Sequence, residues 1–220
     1  MDAQPEGPLD FREAGRKLFA AECAFMRGVE SLDQLPPAAT PEIAFAGRSN
    51  VGKSSLLNAL TNRKTLARIS HTPGRTQALN FFALGDPKAP RLRLVDMPGY
   101  GYAAVAKDKS AGWTALLRDY VRERGDLLRV FVLIDSRHGP KPQDSEMFDI
   151  LDQAAVSYQI VLTKRDELRK APPGVLEQTG AAIAKRPAAF PEVLAVSARS
   201  GEGIAELRAA VARLLAEHGY

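Results

Sequence analysis

The sequence predicts an α/β fold: a mostly parallel six-stranded sheet with one antiparallel strand and helices on both faces. Short apolar runs alternate with longer stretches of helical spacing, the pattern of parallel strands joined by crossover helices. The later runs are apolar throughout and bounded by polar or turn residues, as in central strands buried on both faces. The 220 residues, 45% hydrophobic and 25% charged, are ordinary for one globular domain with a sizeable core.

The elements follow in order. An N-terminal segment with helical character around 9–22 precedes Pro36 and Pro37; it is too short to carry its own core. Residues 1–38 are therefore expected to form an extension that docks on a domain of residues 39–220. EIAFAG (42–47) is a buried-strand candidate running into a glycine-rich turn, and SSLLNAL (54–60) has the apolar spacing of a helix. LNFFAL (79–84) and RLRLVD (91–96) flank the turn signal GDPKAP and predict a hairpin. RVFVLID (129–135), YQIVLT (158–163) and EVLAVS (192–197) are the central strands. Helices are expected near 110–124, 142–154, 173–186 and 203–217. In the last, Ile204, Leu207, Val211, Leu214 and Leu215 share one stripe.

Composition excludes several classes. The single cysteine, Cys23, rules out an internal disulfide framework and a Cys-rich metal site; it reads as a small packing residue in a reducing compartment. No apolar run approaches the ~20 residues needed to span a bilayer, and MDAQPEGPLD has no charged region followed by an apolar stretch. A cytoplasmic protein with no membrane partner is expected. The net charge of +4 is modest, but its distribution is uneven: no acidic residue lies between Glu42 and Asp86, where Arg48, Lys53, Arg63, Lys64, Arg68 and Arg75 all fall. Such an imbalance suits a polyanionic partner.

Gly47, Arg48, Ser49, Asn50, Val51, Gly52, Lys53, Ser54 and Ser55 fit the phosphate-loop pattern G-x-x-x-x-G-K-[ST] between a predicted strand and a predicted helix. In that setting loop amides and the positive end of the helix converge on phosphate oxygens. Lys53 would neutralise the β and γ phosphates and the Ser54 hydroxyl would ligate Mg²⁺. The loop alone does not choose between ATP and GTP.

Thr163, Lys164, Arg165 and Asp166 close one strand, and Val196, Ser197, Ala198 and Arg199 close another. Both therefore land on the ligand-binding edge of an open α/β sheet. Asp166 can accept from the two donors on the guanine edge, a pair adenine lacks, so guanine is the expected base. Lys164 can lay its stem across the base, and the backbone after Ser197 can donate to guanine O6. Asp96, Met97, Pro98 and Gly99 give the D-x-x-G spacing in which the carboxylate holds Mg²⁺ through water and the glycine amide senses the γ-phosphate. Residues 64–78 are polar, basic and glycine-interrupted. Within them Gly74, Arg75 and Thr76 are expected at the nucleotide, with Thr76 a metal ligand and Thr72 the alternative. His71 is left unassigned. GTP would order this loop into a basic surface for a polyanionic partner, and hydrolysis would release it.

Together these motifs resemble a translation-factor-class GTPase and, more narrowly, the EngB family of ribosome-biogenesis GTP-binding proteins. FAGRSNVGKSSLLNAL, TPGRTQALNFF, LVDMPGYGYA and the TKRD/SAR pair carry the resemblance. It implies a Ras-like fold, GTP/GDP binding with slow hydrolysis, and a monomer that matures the large ribosomal subunit through rRNA and ribosomal-protein contacts. Tyr100 stands where many such proteins carry a water-orienting glutamine, and a phenol, whose hydroxyl points outward from its ring, is a poor substitute. Tyr100 and Tyr102 are expected to pack the second switch. Related GTPases without that glutamine use an asparagine to hold K⁺ beside the phosphates, which makes Asn50, with Lys53, Thr76 and Gly99, the candidate catalytic set. Two other readings compete: a guanine-nucleotide-dependent RNA-binding module with negligible turnover, and an ATP-dependent phosphotransferase, which Asp166 opposes.

Overall fold

In a computed structural model of the chain, residues 10–66, 78–100, 107–170 and 173–220 are described. Among the described residues seven strands form one sheet: β1 (Cys23–Val29), β2 (Glu42–Gly47), β3 (Leu79–Asp86), β4 (Ala89–Asp96), β5 (Leu127–Asp135), β6 (Tyr158–Thr163) and β7 (Leu194–Ala195). Their spatial order is β1-β3-β4-β2-β5-β6-β7, and β3 alone runs against the other six. The helices are α1 (Phe11–Ala20), α2 (Lys53–Leu60), α3 (Lys107–Glu123), α4 (Pro142–Gln153), α5 (Val175–Ile183) and α6 (Ile204–Glu217).

The expected six strands become seven because the N-terminal segment supplies β1, paired along β3. Only Cys23 and Val29 of this strand are buried, and a bulge between Phe25 and Arg27 breaks the two-residue alternation that would have marked it. Phe25 is exposed but sets its ring edge-on to Phe82 across the pair, with centroids 5.7 Å apart.

The central strands divide their side chains between two cores, as strands covered on both faces must. Ile43, Phe45, Phe131 and Leu133 face the side covered by α1, α2 and α6, with Phe19, Leu56, Leu57, Leu60, Leu207 and Leu214. Ala44, Ala46, Val130, Val132 and Ile134 face α3, α4 and α5, with Tyr120, Phe148 and Ile183. Helix α1 starts at Asp10, whose carboxylate accepts from the Arg12 and Glu13 amides at 3.0 and 3.3 Å. It lies so close to α6 that a Cβ on Gly15 would come 2.5 Å from the Arg208 carbonyl oxygen. Arg208 in turn donates to the Leu60 and Ala59 carbonyls at 2.9 and 3.0 Å, satisfying the C-terminus of α2.

At the N-terminal end of β2 the fully buried Glu42 accepts from Arg93 (3.1 Å), Arg124 (2.6 and 3.0 Å) and the Tyr120 hydroxyl (3.0 Å). The same arginines donate to Pro37 O and Pro36 O, so one buried carboxylate fixes the proline linker beneath the sheet. This cluster lies at the opposite end of β2 from the phosphate loop, which leaves the other sheet edge for ligand.

Candidate functional site

The loop from Gly47 to Gly52 joins β2 to α2. Asn50 has φ +66° and Gly52 has φ +104°, left-handed values that turn the chain sharply before Lys53 starts the helix. Two anchors hold the loop from the far side. The Thr163 hydroxyl donates to Val51 O at 2.7 Å, and Lys164 Nζ donates to Asn50 O at 3.1 Å. The TKRD segment and the phosphate loop are thus in direct contact although more than half the chain separates them. Ser54 and Ser55 lie on the first turn of α2, and the Lys53 ammonium pairs with the Asp96 carboxylate at the end of β4. Both partners of that pair are sheltered, with side chains 12% and 11% exposed, so the charge on Lys53 is available to a phosphate only in exchange for Asp96.

Asp96, Met97, Pro98 and Gly99 run beside the loop and continue the parallel ladder beyond the strands. Met97 N–H donates to Phe45 O at 3.0 Å, Tyr100 N–H to Gly47 O at 3.3 Å, and Ser49 N–H to Tyr100 O at 3.3 Å. The Tyr100 ring turns inward, as expected of a packing residue, and its hydroxyl donates to Asp144 at 2.9 Å. Asp144, fully buried at the start of α4, also accepts from the Lys141 amide at 2.8 Å and lies 3.5 Å from Arg48 Nε. Burial pushes the Asp144 carboxyl up despite these partners, and burial together with the Asp144 charge holds the Tyr100 phenol well above its ordinary range.

At the other end of the cradle, Asp166 sits in a short 3₁₀ helix (Arg165–Lys170) and accepts from the buried Ser197 hydroxyl at 2.7 Å. Arg165 N–H donates to Val196 O at 3.0 Å, tying the two base-edge segments together. Ala198 is half-buried and Arg199 exposed. Arg199 joins Asp166, Glu167 and Arg169 around an open cavity of about 470 Å³. Gly74, Arg75 and Thr76, with Arg68, His71, Thr72 and Tyr102, lie outside the described residues.

Sequence reasoning missed two carboxylates. Asp144 is one. The other, Asp135, ends β5, is 5% exposed, and accepts from Lys164 Nζ (2.7 Å) and from Arg137 through Nε (2.9 Å), Nη2 (2.7 Å) and its amide (3.0 Å). Burial alone would raise its pKa, but the hydrogen bonds from Arg137 and Lys164 outweigh it and hold the carboxyl well below the usual range. Lys164 itself has φ +59° and is pinned between Asp135 and the phosphate loop. An acid at the C-terminus of a central strand, on the ligand edge, was the available signal.

Residues 42–164 match the family model described as a 50S ribosome-binding GTPase. The protein named "Probable GTP-binding protein EngB" from Rhodopseudomonas palustris strain TIE-1 is 58% identical over 209 residues, covering 94% of this chain and 96% of that one. Its namesake from Afipia carboxidovorans is 57% identical over 212 residues, covering 93% and 95%. Among solved structures, a probable GTP-binding protein engB superposes with a TM-score of 0.62 at 21% identity, over 80% of this chain and 99% of the other. Aquifex aeolicus Era bound to GDP and AlF4⁻ gives 0.63 at 22% identity, over 80% and 57%; these two likenesses speak to the fold. With the phosphate loop, D-x-x-G segment and TKRD segment gathered on one sheet edge and curated relatives alike over almost their whole length, the chain belongs to the EngB family of GTP-binding proteins and is a GTPase.

Proposed function

We propose that this GTPase is a monomeric, GTP-operated switch in assembly of the large ribosomal subunit, acting in the cytoplasm and hydrolysing GTP slowly without its partner. One observation carries the nucleotide assignment: Asp166 and Ser197 meet at 2.7 Å beside Lys164, which itself touches the phosphate loop. A carboxylate so placed pairs with the two guanine donors, which adenine does not offer, a difference of a few kcal/mol. Loop amides from Ser49 to Ser55 and the Lys53 ammonium would receive the phosphates, and the Gly99 amide would contact the γ-phosphate.

Magnesium fits the donors, since Ser54 offers a hydroxyl, Asp96 a carboxylate and Thr76 a hydroxyl, all hard oxygens. When bound, the ion neutralises charge on the β and γ oxygens. The inward Tyr100 leaves the water-orienting task open, and Asn50, exposed on the loop, is the residue that would hold a K⁺ ion in its place. Single-turnover hydrolysis faster in K⁺ than in Na⁺ is expected; equal rates, with and without ribosomal subunits, remove the K⁺ assignment.

Support for the ribosomal role comes from the description of the matching family model and from the acid-free stretch between Glu42 and Asp86. Among the described residues no helix is long and apolar enough to cross a membrane. Co-sedimentation with separated ribosomal subunits tests the role: binding to the large subunit should be stronger with a non-hydrolysable GTP analogue than with GDP and should weaken with salt. Equal affinity in the two nucleotide states overturns it.

A further inference from the structure

We propose that Asp144 is a positioning residue for γ-phosphate recognition, acting through Tyr100 to hold the Gly99 peptide against the phosphate loop. This rests on Gly99 being the γ-phosphate contact. Gly99 is pressed onto the loop so closely that a Cβ there would lie 3.0 Å from Ser49 Oγ and 3.1 Å from Ser49 N. Its successor, Tyr100, is stitched to the loop by two main-chain bonds of 3.3 Å, one to Gly47 O and one from Ser49 N. Bonds of that length are weak anchors. The strong anchor is the side chain: the buried phenol donates to a carboxylate that is itself fully buried.

Asp144 in turn has no freedom to follow a moving tyrosine. Its second oxygen accepts from the Lys141 amide at the N-terminus of α4 and faces the Arg48 guanidinium from the phosphate loop. A single buried carboxylate therefore ties together the phosphate loop, the D-x-x-G segment and the rigid α4. Withdrawing Tyr100 would leave Asp144 with an unmet acceptor in a dry site, so the arrangement resists displacement. The tyrosine that replaces the water-orienting glutamine thus has a task of its own. It fixes the peptide whose amide meets the γ-phosphate, through contacts made wholly within the chain. GDP lacks that phosphate and gains nothing from the fixation.

The test compares affinities of Tyr100→Phe for GDP and a non-hydrolysable GTP analogue, measured by calorimetry with Mg²⁺. Phe keeps the ring and its packing and removes only the donor. Analogue affinity should fall about tenfold, the size of one lost hydrogen bond to a charged acceptor, with GDP affinity changing less than about twofold. Asp144→Asn has one carbonyl oxygen for two donors, the phenol and the Lys141 amide, and should also lower analogue affinity more than GDP affinity. A general packing defect would lower both affinities together, and that result, no change in either, or a rise in analogue affinity overturns the proposal. Gly99→Ala separates the two levels of inference: if it too leaves the analogue-to-GDP ratio unchanged, γ-phosphate sensing at Gly99 has failed. If it shifts the ratio and Tyr100→Phe does not, only the role of Asp144 and Tyr100 falls.

Discussion

Replacing Asp135 by Asn should weaken GDP and GTP binding equally and leave single-turnover hydrolysis unchanged. The carboxylate is taken up by Arg137 and by the Lys164 ammonium, each at 2.7 Å, and that ammonium also donates to Asn50 O. A hydrogen bond between two charged groups contributes ~1.5–3 kcal/mol. The Lys164 side chain is 27% exposed, which screens part of that, and an Asn side chain still accepts one bond. The remaining loss, mostly rotamer freedom that Lys164 must then surrender on binding, is about 1–2 kcal/mol, or roughly 5- to 30-fold in Kd. Displacement of a fluorescent GDP gives the constants, and a double-mutant cycle with Lys164→Ala isolates the route. With Lys164 already truncated, Asp135→Asn should cost less than about 0.5 kcal/mol of binding. Full additivity of the two losses would refute the idea that Asp135 works through Lys164.

Three further outcomes are expected. Glu42→Gln leaves Arg93 and Arg124, with side chains 7% and 9% exposed, facing a neutral group; breaking such a buried pair costs about 3 kcal/mol, a fall of roughly 6–12 °C in Tm by calorimetry, with GDP affinity retained. Cys23, whose thiol burial pushes up to about 12, should resist iodoacetamide at pH 8 in the native protein and react after denaturation. Because the folded-state pKa of Asp135 lies below its ordinary 3.8, its contribution to stability is present above that pH and drains away as pH falls toward the folded value. Urea midpoints of the wild type and Asp135→Asn should therefore converge on acidification below about pH 4.

Much of the fold could be read from the chain because its strands are continuous apolar runs and its phosphate loop has a fixed spacing. Predicted strands at 42–47, 129–135 and 158–163 match β2, β5 and β6 to within two residues, and the helix expected at 203–217 is α6 at Ile204–Glu217. EVLAVS narrowed to Leu194–Ala195, as suits an edge strand with one pairing partner. β1 was illegible because Phe25, Arg27 and Gly28 face solvent, so it carries no hydrophobic period. The spacing of Asp166 and Lys164 gave away their position, but Asp135 and Asp144 belong to no motif. Beside near neighbours each has a hydrogen-bond partner far along the chain, Lys164 at 29 residues and Tyr100 at 44, a relation only the folded sheet creates.

The seating of α1 on α6 has a consequence for biosynthesis. Gly15 touches the backbone of a helix made almost two hundred residues later, and the arginine it touches also closes α2 behind the phosphate loop. A nascent chain arrested before α6 emerges would hold a complete set of nucleotide motifs with neither its first helix nor its loop helix secured. Nucleotide retention by stalled chains should accordingly begin only once the last helix has cleared the exit tunnel.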